Sequence, residues 1–161
     1  DLYSWHHVTK PLEPYESIVK VKKSVHVPFA YLFSPGEKDL ISFLASNDIQ
    51  MYSLQSDVES EVETYGILNV TPGQDEDKPW QNVDVNVERM RTTVPAGTVV
   101  VPVKQAFSNL IPLLLEPQST WSLCSENSGR EYRLERYLRE GTEYPIKRLM
   151  TTSDLNLKEL K

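Results

Sequence analysis

The residues of this chain whose chemistry reaches beyond packing are three histidines, one cysteine, two acidic runs and three tryptophans. His6, His7 and His26 all fall near the start of the chain. None stands in an H-E-x-x-H pair, and none has a glutamate three residues on, so the spacing of a zinc site is missing. Adjacent His6 and His7 point to opposite sides of an extended chain and would chelate one ion poorly. Cys124, in "WSLCSEN", could act as a nucleophile only if the fold carried a histidine to it. No G-x-S-x-G elbow occurs, and no S-x-x-K is accompanied by the other marks of its class. The acidic runs "DVESEVE" (57–63) and "DEDK" (75–78) lack the D-x-[DN]-x-[DN]-G turn of a calcium loop and read as solvated strand and loop charges. No glycine-rich loop precedes a helix, as a phosphate cradle would require. The expectation is a chain with no catalytic residue, no metal ligand and no cofactor of its own. Trp5, Trp80 and Trp121 lie in or near predicted loops and form the candidate interaction surface, since exposed indoles stack on sugars or anchor partners. Asn69-Val70-Thr71 fits the glycosylation acceptor pattern, which matters only in a eukaryotic secretory protein.

Composition narrows the partners. The chain has 161 residues, enough for one domain with a real core. It is 39% hydrophobic and 25% charged, which is ordinary for a globular protein. Its net charge of −6 opposes nucleic-acid binding, which needs lysines and arginines against phosphates. The one basic cluster, "KVKK" at 20–23, reads as a lysine-guarded strand edge. No apolar run approaches the roughly 18 to 20 residues that cross a bilayer. A lone cysteine excludes an internal disulfide. The opening "DLYSWHH" has neither an initiator methionine nor signal-peptide regions, as expected of a mature or trimmed fragment.

The elements that would position these residues read as follows. Residues 1–24 form an extended lead-in, 25–150 a single α+β domain, and 151–161 a frayed or helical tail. "FAYLF" is a strand, "SPGEKD" a turn, and a helix near 37–47 carries the apolar stripe Leu40, Ile41, Phe43 and Leu44. "QMYSL" and "EVETYGILNV" (61–70) are strands, and "TPGQDEDKPW" is a polar loop. "NVDVNVERMRTTV" places Val83, Val85 and Val87 on one face at period two. "TVVV" does not alternate, so both of its faces are covered, as in a central strand. A helix near 105–116 presents Phe107, Leu110, Ile111, Leu114 and Leu115 to the sheet, with Pro112 expected to kink it. A short helix runs between Ser128 and Gly141, and "YPIKRL" is the closing strand. Pro28 and Pro35 bracket the first strand as Pro95 and Pro102 bracket the later one, and a helix follows each. Two β-α units packed on a mixed sheet are therefore expected.

Several stretches resemble a region downstream of the catalytic domain in bacterial zinc carboxypeptidase-like metallopeptidases of the carboxypeptidase A superfamily. "SVHVPFAYLFSPGEKDLISFLASNDIQMYSLQSDVESEVETYGI" is similar to their "P-x-A-Y-x-(V/I)" strand, helix, "E-V-E-x-Y" strand and "GI". "VPAGTVVVPVKQAFSNLIPLLLEPQS" resembles "PAG-x-x-V-V-x-x-x-Q" followed by a helix ending "LLEP-x-S", and "EYPIKRL" resembles a closing "YPVYRL". Together these cover roughly residues 24 to 150. The family's catalytic domain carries an H-x-x-E pair, a later histidine and a downstream glutamate, and none of those positions exists in this chain. The resemblance implies a non-catalytic C-terminal accessory module of an exported, periplasmic or extracellular protein. Its partners would be the upstream peptidase domain and, at the surface, a peptide or glycan. The alternatives are a stand-alone ligand- or protein-binding domain and a small hydrolase built on Cys124 or a serine.

Overall fold

A computed structural model describes residues 24–75, 78–119, 121–124, 134–151 and 154–160. In chain order the elements are β1 (Ala30–Phe33), α1 (Lys38–Ser46), β2 (Tyr52–Leu54), β3 (Val58–Asp75), β4 (Lys78–Val94), β5 (Val99–Pro102), α2 (Leu110–Leu115), a 3-10 turn (Glu135–Tyr137), β6 (Lys147–Leu149) and β7 (Leu157–Glu159). The strands form one seven-stranded sheet in the order β4-β3-β6-β1-β5-β2-β7. Every ladder in it is antiparallel, where a mixed sheet was expected. The fold is α+β, with the sheet dominant.

The order of the central strands explains how two helices serve one sheet. β1 and β2 both pair with β5, so they run parallel to each other with β5 between them. β5 and β6 both pair with β1 and straddle it in the same way. The two crossovers thus interlock as split β-α-β connections. β1 and β5 lie at the centre, and Val99, Val100 and Val101 are buried, as the unalternating "TVVV" implied. The expected pattern of two β-α units is not clear, however, because the sheet dominates. α1 follows β1 after a short turn, whereas turns over 103–109 separate β5 from a helix of only six residues.

That shortening also changes the role of Pro112. The helix begins at Leu110, so Pro112 falls in its first turn, where a backbone N–H has no intrahelical acceptor in any case. The expected kink is therefore not needed. Phe107 precedes the helix and is exposed, rather than facing the sheet, while Ile111, Leu114 and Leu115 are buried. α1 spans nearly the expected residues and buries Leu40 and Leu44, one turn apart on one face. Its end is closed by side chains: Ser46 Oγ and Asn47 Nδ2 both donate to Phe43 O at 2.8 Å. Asp48 then turns the chain with a φ of 56°.

The polar "loop" TPGQDEDKPW is mostly strand. β3 and β4 form a hairpin of 18 and 17 residues whose ladder continues to Asp75↔Lys78. A register shift between Ile67 and Asn69 leaves Leu68 bulged and exposed. The expected tail is also a strand. Leu157–Glu159 pairs with β2 and forms one edge of the sheet. The short helix expected between Ser128 and Gly141 falls partly outside the described residues; within them stands the 3-10 turn, and Gly141 has a φ of 76°.

Two apolar clusters hold the sheet. On the helix side, Tyr31, Phe33, Tyr65, Ile67, Val83, Val99 and Val101 meet Leu40, Leu44, Ile111, Leu114 and Leu115. On the other face, Ala30, Leu32, Leu54, Val62, Val94, Val100 and Leu149 pack together. Val62 and Val94 belong to the hairpin and share this cluster with Leu54 of β2 and Val100 of β5, so the hairpin base joins the same apolar face. Ala96 N–H donates to Asp57 Oδ1, and Gly97 N–H donates to Leu54 O, both at 2.7 Å.

Two substitutions test this architecture by chemical denaturation. Leu44→Ala empties a fully buried position of the helix-side cluster and should cost about 2–5 kcal/mol. Gly97 sits at a φ of 85°, and a methyl group added there would meet no atom within 4 Å. Gly97→Ala should therefore cost about 1–2 kcal/mol through backbone strain alone.

Candidate functional site

The densest polar chemistry lies inside the helix-side core. Antiparallel register sets Arg89, Glu63, Arg148 and Tyr31 abreast on β4, β3, β6 and β1: Glu63 opposes both Arg89 and Arg148, and Arg148 opposes Tyr31. Facing residues of paired strands share one side of the sheet, so these side chains form a row. Tyr65 stands two residues beyond Glu63 on the same face. Glu116, the residue that ends α2, enters the row from above.

The contacts are close. The Tyr31 hydroxyl donates to Glu116 Oε1 at 2.6 Å, and the Tyr65 hydroxyl donates to Glu116 Oε2. Arg148 Nη2 pairs with Glu63 Oε2, and Arg148 Nη1 lies 3.7 Å from Glu116 Oε1. The guanidinium also rests 4.7 Å over the Tyr65 ring, a cation–π placement. Glu63, Glu116 and Arg148 are at most 9% exposed. One cation thus faces two carboxylates in a low-dielectric interior, and two phenol protons supply the remaining stabilisation. Arg89, 4.0 Å from Glu63 and 2.5 Å from Glu61, continues the alternation of charge toward the edge. Burial, and next the neighbouring Glu116, push both tyrosine hydroxyls well above the ordinary phenol range.

An open concavity with a largely apolar lining lies on the other face of the sheet. Lys147 and Arg148 are consecutive on β6 and so project to opposite sides. Lys147 lines a groove of about 300 Å³ between the hairpin and the ends of β1 and β5. Leu32, Val62 and Val94 form its apolar part, and Ser34, Thr92 and Thr98 are polar residues of its lining. Lys147 Nζ is held 2.8 Å from Glu143 Oε1 in an exposed pair. Thr93 donates to Glu59, and Thr98 Oγ1 donates to Pro95 O at 2.7 Å.

The residues singled out in the sequence are not gathered at either place. Trp5, His6 and His7 lie outside the described residues, as does the "KVKK" cluster. Trp80 lies on β4 opposite Gly73, in a strand rather than a loop. Trp121 follows α2 and is 66% exposed, the most exposed large apolar side chain described. His26 is exposed, while Cys124 is buried with its Sγ 3.2 Å from the Tyr144 hydroxyl. The "DVESEVE" run is not wholly solvated, because Glu63 is drawn into the core. Sequence reasoning missed Glu63, Glu116 and Arg148, although a signal was present. Glu63-x-Tyr65-x-Ile67 and Tyr144-x-Ile146-x-Arg148 each place a charge on the face of an otherwise apolar period-two stripe.

Removing one member of the buried row should be costly. Arg148→Met removes the buried cation that faces Glu63 and Glu116 and should lose about 3–5 kcal/mol in denaturant unfolding. Tyr31→Phe, which removes one donor from Glu116, should lose about 1–3 kcal/mol.

The same row sets a pH dependence. The folded state keeps protons on Tyr31 and Tyr65 that the unfolded chain releases near pH 10. Their contribution is complete below that pH and is lost as pH rises through it, at about 1.4 kcal/mol per unit for each residue. Tyr31 and Tyr65 should stay silent in an ultraviolet absorbance titration until the chain unfolds, and Tyr31→Phe should leave the pre-unfolding titration amplitude unchanged.

No family model, curated protein or solved structure matches this chain.

Proposed function

We propose that this chain is a non-catalytic binding module of an exported zinc carboxypeptidase-like protein, placed downstream of the peptidase domain in the periplasm or outside the cell. The observation that carries the binding reading is the division of labour between the two faces of the sheet. The charged and phenolic groups of Glu63, Glu116, Arg148, Tyr31 and Tyr65 are engaged with one another under the helices. The solvent-open groove on the opposite face offers apolar carbon, hydroxyls and one ammonium, a lining suited to holding a ligand. The attachment to a peptidase is supported by the order of the resembling motifs from "VPFAYLF" to "YPIKRL". In this reading Trp121 is a further contact for the neighbouring domain, a cell-surface peptide or a glycan.

The reading frame and a mixing experiment test it together. The parent gene should encode an upstream domain with an H-x-x-E pair, and the separately purified domain should associate with this chain in analytical ultracentrifugation. The chain alone should leave peptide substrates intact. Peptide cleavage by the purified chain, lost on a single substitution within it, would overturn the proposal. A reading frame without the upstream domain would instead favour a stand-alone binding domain.

A further inference from the structure

We infer that the groove beside Lys147 is a site for a small hydrophobic carboxylate: one aromatic or branched aliphatic group bearing a single acid function. This rests on the binding reading above and names the ligand class.

Size sets the first limit. At about 300 Å³ the groove stands at the lower end of ligand pockets, so it takes one ring or branched chain rather than a long ligand. Chemistry sets the second. Leu32, Val62 and Val94 belong to the buried cluster of this face, and Phe33, Pro95 and Pro145 add further carbon to the lining. An apolar body is what such walls desolvate favourably.

Charge sets the third. Lys147 is the one charged residue among those lining the groove. The carboxylate of Glu143 is bonded to Lys147, and that of Asp57 accepts from Ala96 N–H beside the lining Pro95. The Lys147–Glu143 pair is exposed on both sides, with side chains 42% and 56% accessible, so it is weak and its ammonium can turn to another anion. Ser34 Oγ accepts from Gly36 N–H at 3.1 Å, which leaves its own proton for an incoming oxygen. Acid and apolar body would then be read by separate parts of one groove.

The test uses the full chain, isotopically labelled, with three probes: N-acetylphenylalanine, its primary amide and N-acetylglycine. The acid should shift the backbone amides of Thr93, Thr98 and Lys147 along a saturable curve. The amide should bind about tenfold more weakly, as loss of one charge-assisted hydrogen bond implies, and N-acetylglycine more weakly still. Lys147→Met keeps the apolar stem, and its thermal midpoint should stay close to that of the parent. In that variant the acid and the amide should bind alike. Equal binding of acid and amide to the parent chain would overturn the carboxylate assignment and leave the groove as a binding site. Failure of all three probes to shift the groove amides would overturn the groove itself as the ligand site.

Discussion

The arginine at position 148 ties together parts of the chain that are far apart in sequence. It sits on a three-residue strand whose two neighbours are β1 and β3. Its guanidinium holds a carboxylate from the hairpin, approaches one from the end of α2, and covers a tyrosine ring. A buried cation is tolerated only when its charge and most of its protons are met. Here that requirement specifies which residues must meet: hairpin, central sheet and the exit of α2 have to close on one another before Arg148 is satisfied. Its Nε has no partner among the described residues even so. The apolar contacts on this face supply most of the favourable free energy, while the ion row makes one arrangement of them distinct from its near neighbours.

The same strand divides the molecule into two working surfaces. Because successive residues alternate, Arg148 belongs to the helix side and Lys147 to the groove. Val62 and Val94 of the hairpin join the apolar cluster of that second side, and a shallow concavity lies where β6 gives way to Pro145. Proline offers no N–H for a ladder, so pairing with β1 ends there. The groove is thus a consequence of how short β6 is. It lies at the sheet's interruption, against the buried Leu32, Val62 and Val94.

Much of the fold is legible locally. A period-two pattern identifies β4, a period-3.6 stripe identifies α1, short apolar runs identify β1 and β5, and the unalternating valines mark β5 as central. The misreadings cluster where a local rule meets a longer-range pairing. Turn-forming residues in TPGQDEDKPW suggest a loop, but the hairpin ladder carries them as strand. The charged C-terminal stretch suggests a tail, but the exposed edge of β2 supplies partners for Leu157–Glu159. Pro112 suggests a kink within a long helix, whereas the helix begins late enough to avoid the conflict.

The sequence by itself determined that this is an α+β chain with a buried central valine strand, an amphipathic first helix and an acidic surface charge, because burial leaves its period in neighbouring residues. Only the tertiary structure decided that Glu63, Arg148 and Glu116 share one buried site and that Lys147 faces a groove. Those outcomes depend on strand register. Register aligns residues as distant as Glu63 and Arg148, and no local pattern encodes which of many possible alignments the whole core will satisfy.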